Sequence, residues 1–253
     1  MSAAHNYAEI DRGRGAFNDT SNREAVRSED IHQGRTAIIL TFGQSNSTNS
    51  GDTPYVTRRR VLNFNLFDGR CYPARDPLLG ATERRGNFAG RMADLLIERG
   101  AFDTVVLVPI GVGGSSVEQW TETGPYHLRL QIAIHRTTEC GLHLTHLLWH
   151  QGETDARYAP DGARYAACFQ NIYAGVRRQG AKAPIYVAQA TRCNSEPVES
   201  IRRVQRSLVN PALGILAGPD TDTIGGEDRY DGCHMAESGL IKHARLWAET
   251  LFP

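Results

Sequence analysis

Continuous apolar runs recur along the chain, each pair separated by enough residues for one helix. The first is TAIILTFG at 36–43, followed by DTVVLVPIG from Asp103, LTHLLWHQG from Leu144 and APIYVAQA from Ala183. A run of this kind, without polar alternation, suits a parallel strand buried on both faces. Between the runs, FAGRMADLLIERG, HLRLQIAIHRTTEC and YAACFQNIYAGVRRQG place apolar residues at helical spacing, as helices packed on a sheet require. The alternation predicts a three-layer α/β/α sandwich with a mainly parallel sheet, in which ligands bind at the carboxyl ends of the strands. RVLNFNLFDGRCYPARDPL reads as one more strand leading into a long loop. LGILAG reads as a short last strand and MAESGLIKHARLWAETLF as a closing helix.

The first 35 residues are polar and glycine-bearing, so an irregular arm is expected at 1–35 and a single domain at 36–253. A chain of 253 residues is long enough to bury one large core. With 28 basic and 28 acidic side chains there is no global field to attract a polyanion, and nucleic acid is not an expected partner. The doublets Arg84-Arg85, Arg177-Arg178 and Arg202-Arg203 are expected on solvated helix faces. No apolar stretch approaches membrane-spanning length, and the amino terminus lacks the basic start and apolar core of a secretory leader. The sequence therefore reads as soluble and compatible with the cytoplasm, although a removed leader would leave the compartment open. The five cysteines are odd in number, widely spaced and without a C-x-x-C pair, so free thiols are expected.

Four stretches just beyond predicted elements are more polar or glycine-rich than a simple connection needs. In LTFGQSNSTNSG, Ser45 stands at a strand-to-helix turn, where it is either a nucleophile or a helix cap. It lacks the second glycine of the G-x-S-x-G elbow, because Ser47 occupies that place. In IGVGGSSVEQW, Gly113 and Gly114 either make a tight turn or free backbone N–H groups for a ligand. A dinucleotide fingerprint would need a glycine where Ser116 stands, so no such cofactor is expected. In WHQGETD, the Gln151 amide could hold an oxyanion, while Glu153 and Asp155 could orient a histidine or bind a hydroxyl. His143 and His146 would face opposite sides of a strand and no H-E-x-x-H is present, so no metal is expected. In RYDGCHMAESG, Asp231 and His234 are close enough to share a cleft, with capping Asp and surface His as the alternative.

Taken in order, FGQSN, GVGGSSVEQW, WHQGETD and DGCH resemble the SGNH (GDSL-like) hydrolase superfamily. More closely, they resemble the branch containing sialate O-acetylesterases and acetylxylan esterases. The resemblance runs from about Thr36 to the closing helix and implies a flavodoxin-like fold. It also implies a serine esterase acting on small acyl esters, chiefly acetyl, of carbohydrates. Carried over, it makes Ser45 the nucleophile, His234 the general base and Asp231 its orienting acid. The oxyanion hole would combine the N–H groups of Ser45 and Gly114 with the amide of Gln151, where most of the superfamily has asparagine. Gln44, Gly113, Trp120 and Glu153 are the expected substrate contacts, Trp120 as a stacking surface for a sugar ring. Arg202 and Gln205 stand between a cleft role and a solvated one. An acyltransferase and a non-catalytic carbohydrate-binding domain on the same fold are the alternatives, although binding alone needs no triad.

Overall fold

The structure, a computed structural model, describes residues 15–159 and 161–253. Strand β1 (Thr36–Gly43) lies at the centre of a seven-stranded sheet with β2 (Val61–Asn65), β3 (Arg70–Pro73), β4 (Thr104–Pro109), β5 (His146–His150), β6 (Ile185–Gln189) and β7 (Ile215–Asp220). The spatial order is β3-β2-β4-β1-β5-β6-β7, and only the β2–β3 pair is antiparallel. Leaving aside that edge hairpin, the order is that of a flavodoxin-like sheet, with its topological switch beside β1.

Burial on both faces explains why the strands are continuously apolar. Along β1, Ile38, Leu40 and Phe42 enter one core layer, while Ala37 and Ile39 enter the other. The first layer is closed by α2 (His127–Glu139), α4 (Gly162–Arg178) and α5 (Glu199–Ser207). The second is closed by α1 (Phe88–Glu98) and α6 (Glu237–Leu251). Each fully buried side chain of this kind is worth about 1.5–3 kcal/mol. Asn87 caps α1 by accepting from Ala89 N (2.9 Å), and Asp161 caps α4 by accepting from Arg164 N (3.1 Å).

One expectation is corrected at this level. The segment after Arg60 is a hairpin rather than one strand and a loop. Asn65 Oδ1 accepts from Phe67 N (3.1 Å) and Asp68 Oδ1 from Arg70 N (2.9 Å), so local side chains build a turn that brings the chain back as β3. A short helix, α3 (Glu153–Tyr158), also follows β5 directly. Within the predicted arm, Ala16 bridges to Thr82 and Val26 to Cys71, while residues 1–14 lie outside the described residues. No described helix is long and apolar enough to cross a membrane.

Candidate active site

At the end of β1, Gly43 has φ 120°, and a Cβ there would meet the His150 carbonyl oxygen at 2.1 Å. Only glycine lets the backbones approach this closely as the chain leaves the sheet. Gln44 N donates to His150 O (2.9 Å), and Ser45–Ser47 form a single 3₁₀ turn. Ser47 Oγ donates to Gln44 O and Thr48 Oγ1 to Ser45 O, each at 2.7 Å. The neighbours therefore satisfy the turn, and Ser45 Oγ has no hydrogen-bond partner among the described residues.

The loop after β4 approaches this turn from the side. Gly114 has φ 68°, which favours glycine, and Gly113 N donates to Thr82 Oγ1 (2.9 Å). Ser115 Oγ donates to Gly43 O (3.2 Å), and Val117 N donates to Asp155 Oδ2 (3.0 Å), so the loop is pinned at both ends. The N–H groups of Ser45 and Gly114 have no acceptor among the described residues. Ser45, Gly113, Gly114 and His234 line one cleft of about 890 Å³.

His234 comes from the loop before α6. Asp231 Oδ1 accepts the N–H groups of Cys233 (2.9 Å) and His234 (2.7 Å), while its Oδ2 lies 2.6 Å from His234 Nδ1. Burial acts to raise the Asp231 pKa, but the His234 N–H, the His234 ring and the Cys233 N–H outweigh it and hold the carboxyl below its usual range. An ionised Asp231 keeps the proton on Nδ1 and leaves Nε2 as the acceptor. Tyr230 stacks on the His234 ring at 6.0 Å and donates its hydroxyl to Ser50 O (3.1 Å).

The remaining expected residues are placed differently. Gln151 is fully buried and does not line the cleft. Its Nε2 donates to Ser115 O (3.1 Å), Gln44 Oε1 (3.2 Å) and the Asp155 carboxylate. Asp155 lies within α3, and these bonds hold the amide beneath the glycine loop. Trp120 is likewise core, packed edge-on against Phe42 (5.9 Å) and Trp149 (6.1 Å) with Nε1 donating to Ser115 Oγ (2.9 Å). It supports the loop and offers no face to a sugar.

Glu153 belongs to the cleft wall, but its Oε1 lies 3.1 Å from His150 Nε2 and accepts from Asn46 Nδ2 at 2.8 Å. Burial would raise its pKa, yet the His150 charge and hydrogen bond, with Asn46, bring it down to about 2. Gln44 lines the cleft with its amide oxygen held by Thr154 N (2.9 Å) and Gly152 N (3.3 Å). Neither Glu153 nor Asp155 touches His234. Arg202 is locked to Asp220 and Asp222 at 2.7 Å each, and Gln205 Nε2 donates to Gln151 O (3.0 Å), so neither serves the cleft. The two histidines read from the sequence as sharing a strand separate: His146 packs edge-on to Phe102 with Nδ1 2.8 Å from Thr145 Oγ1, and His143 precedes β5.

Several cleft residues were not anticipated. Arg84 and Arg85 lie on the loop before α1 rather than on a helix face; with Arg157 they line the cleft and have no ion pair among the described residues. Gly86 and the capping Asn87 are the sequence signals that mark that loop. Asn46, beside the serine, also donates to Cys233 O (3.2 Å). Cys193 and Cys233 form a disulfide, contrary to the expectation of free thiols, because the loops after β6 and before α6 meet at the carboxyl edge of the sheet.

The family model described as carbohydrate esterase, sialic acid-specific acetylesterase, matches residues 35–252. No curated protein matches. Among solved structures, a protein from Arabidopsis thaliana superposes with a TM-score of 0.69 at 16% identity, covering 86% of this chain and 97% of that one. An acetylxylan esterase from Geobacillus stearothermophilus gives 0.58 at 13%, covering 88% and 96%. A carbohydrate acetylesterase from Xanthomonas citri gives 0.57 at 14%, covering 84% and 55%. At these identities the likeness is one of fold.

Proposed function

Because this chain belongs to the sialic acid-specific acetylesterase family of carbohydrate esterases, we propose that it removes acetyl groups from sugar hydroxyls through an acyl-enzyme on Ser45. One observation carries the reading. An unpartnered Ser45 Oγ shares a cleft with His234, whose Nδ1 is already bonded to an ionised Asp231. A serine hydroxyl is a weak nucleophile near neutrality, so His234 Nε2 takes its proton as Oγ attacks the ester carbonyl. The oxyanion accepts from the N–H groups of Ser45 and Gly114, each such donor contributing roughly 3 kcal/mol in comparable sites. His234 then gives the proton to the departing sugar oxygen. Water attacks the acetyl-serine with His234 as base, and acetate leaves.

Arg84, Arg85 and Arg157, which lie over Phe17, Tyr230 and Tyr158 and have no ion pair among the described residues, favour an acidic sugar, since a carboxylate on the ring could bond a guanidinium in the cleft. The family's sialic acid specificity points to the same chemistry. Aryl acetates and longer aryl esters, compared in wild type and Ser45→Ala, test the reading. Acetate is expected to be turned over fastest, and Ser45→Ala to lose at least about 10³ in kcat while staying folded. Equal activity of Ser45→Ala would overturn it.

A further inference from the structure

The disulfide between Cys193 and Cys233 spans 40 residues of sequence and ends one residue before His234. Cys233 touches each part of the proposed machinery. Its N–H donates to Asp231 Oδ1, its carbonyl accepts from Asn46 Nδ2 next to Ser45, and its chain continues into His234. Its carbonyl also accepts from the Arg229 guanidinium, which holds Ile224 O (2.7 Å) and Thr221 O (3.0 Å) as well.

The other end of the disulfide is anchored at the carboxyl edge of the sheet. Thr191 N (2.7 Å) and Arg192 N (2.8 Å) donate to Asp222 Oδ1, and Asp222 is paired with Arg202. Asn194 N adds one bond to Gly232 O (2.9 Å). By contrast, the bonds of Asp231 to Cys233 and His234 lie within the loop itself and fix its shape without fixing its distance from Ser45. Both cysteines line the cleft, and Cys233 is only 4% exposed.

We propose that Cys193–Cys233 is a positioning bond that holds the Asp231–His234 loop in register with Ser45, and that a dithiol entering the cleft opens it and slows the enzyme. The proposal rests on His234 being the base. A reagent thiolate attacks Cys193 Sγ, the more exposed sulfur; the S–S bond breaks, and its electron pair leaves on Cys233 Sγ, which takes a proton from water. The reagent's second thiol displaces Cys193 from the mixed disulfide. Two protein thiols and one oxidised, cyclic reagent result, so two electrons have passed from the dithiol to the protein.

Dithiothreitol acting on the folded full-length chain tests this, with alkylation and mass spectrometry to locate the new thiols. Reduction is expected to lower kcat by about tenfold to a hundredfold with KM changed less than about twofold, since sub-ångström to 1 Å misplacement of a catalytic group costs that much. Reoxidation should restore kcat. Cys193→Ala/Cys233→Ala should show the low kcat already and be indifferent to dithiothreitol. If that variant does not fold, the reversible wild-type experiment decides. Full kcat in a protein alkylated at both positions overturns the positioning role, and a disulfide that resists excess dithiothreitol overturns the gating. Failure of the esterase reading is separate: it would appear as wild-type kcat in His234→Ala, whatever reduction does.

Discussion

Ser45 differs from Ser47 and Thr48 in that its hydroxyl closes no turn, and this distinction could not be read from the sequence, where Ser45 is either a nucleophile or a helix cap. Asp231 and His234 were legible together because their partnership is local, with only two residues between them. The bonds that hold the Gln151 amide were not legible, because its partner Asp155 sits on a helix too short to show a periodic pattern. Asp231→Asn should cut kcat by about 10²–10⁴ by presenting the wrong tautomer. Glu153→Gln should affect kcat far less, since Glu153 faces His150 and Asn46; the reverse ranking would transfer the orienting role to Glu153. Glu153 is expected to bear on stability instead. Its folded pKa of about 2 lies below the ordinary 4.5, so its contribution is complete above pH 4.5 and is lost as pH falls from there towards 2. Urea unfolding should show the gap between wild type and Glu153→Gln widest above about pH 5 and closing on acidification.

The long elements were legible because burial on both sheet faces leaves continuous apolar runs, and β1 ends at the residue where its run ends. The β2–β3 hairpin was missed because four turn residues separate two short strands, despite an Asp-Gly step that favours such turns. No pattern in a single sequence pairs cysteines 40 residues apart, so the disulfide was hidden as well. What the elements contribute to chemistry is the exit of β1 against β5. Gly43→Ala forces a side chain into the His150 carbonyl at a positive φ and should cost about 1–3 kcal/mol. Because the strain falls one residue before Gln44, kcat should drop further than stability alone explains, as measured by urea midpoint and turnover on one preparation. An unchanged kcat in a destabilised protein would show that the serine turn is set elsewhere.

For the molecule as a whole, equal numbers of acidic and basic side chains leave any field at the cleft to local arrangement. Arg84, Arg85 and Arg157 line it beside Glu83 and Glu153, from loop and helix positions that no sequence pattern brings together. An acetylated acidic sugar should therefore bind with a KM that rises with ionic strength, whereas a neutral acetyl sugar should not respond, because salt screens charges beyond about 8–10 Å. Arg157→Ala should raise KM for the acidic ester by about tenfold, the loss of one charge-assisted contact of about 1.5 kcal/mol, and leave the neutral ester unaffected. Parallel salt responses for both esters would place the arginines outside substrate recognition.

The proposed reaction needs one serine activated by one histidine, and a fluorophosphonate tests that pairing without knowledge of the natural substrate. Reaction with the intact protein, followed by peptide mapping, should give a single adduct on Ser45. The rate of labelling should fall by about 10³ or more in His234→Ala, because the hydroxyl then has no base. An adduct on any other serine, or labelling of Ser45 at an undiminished rate in His234→Ala, would rule out that pairing.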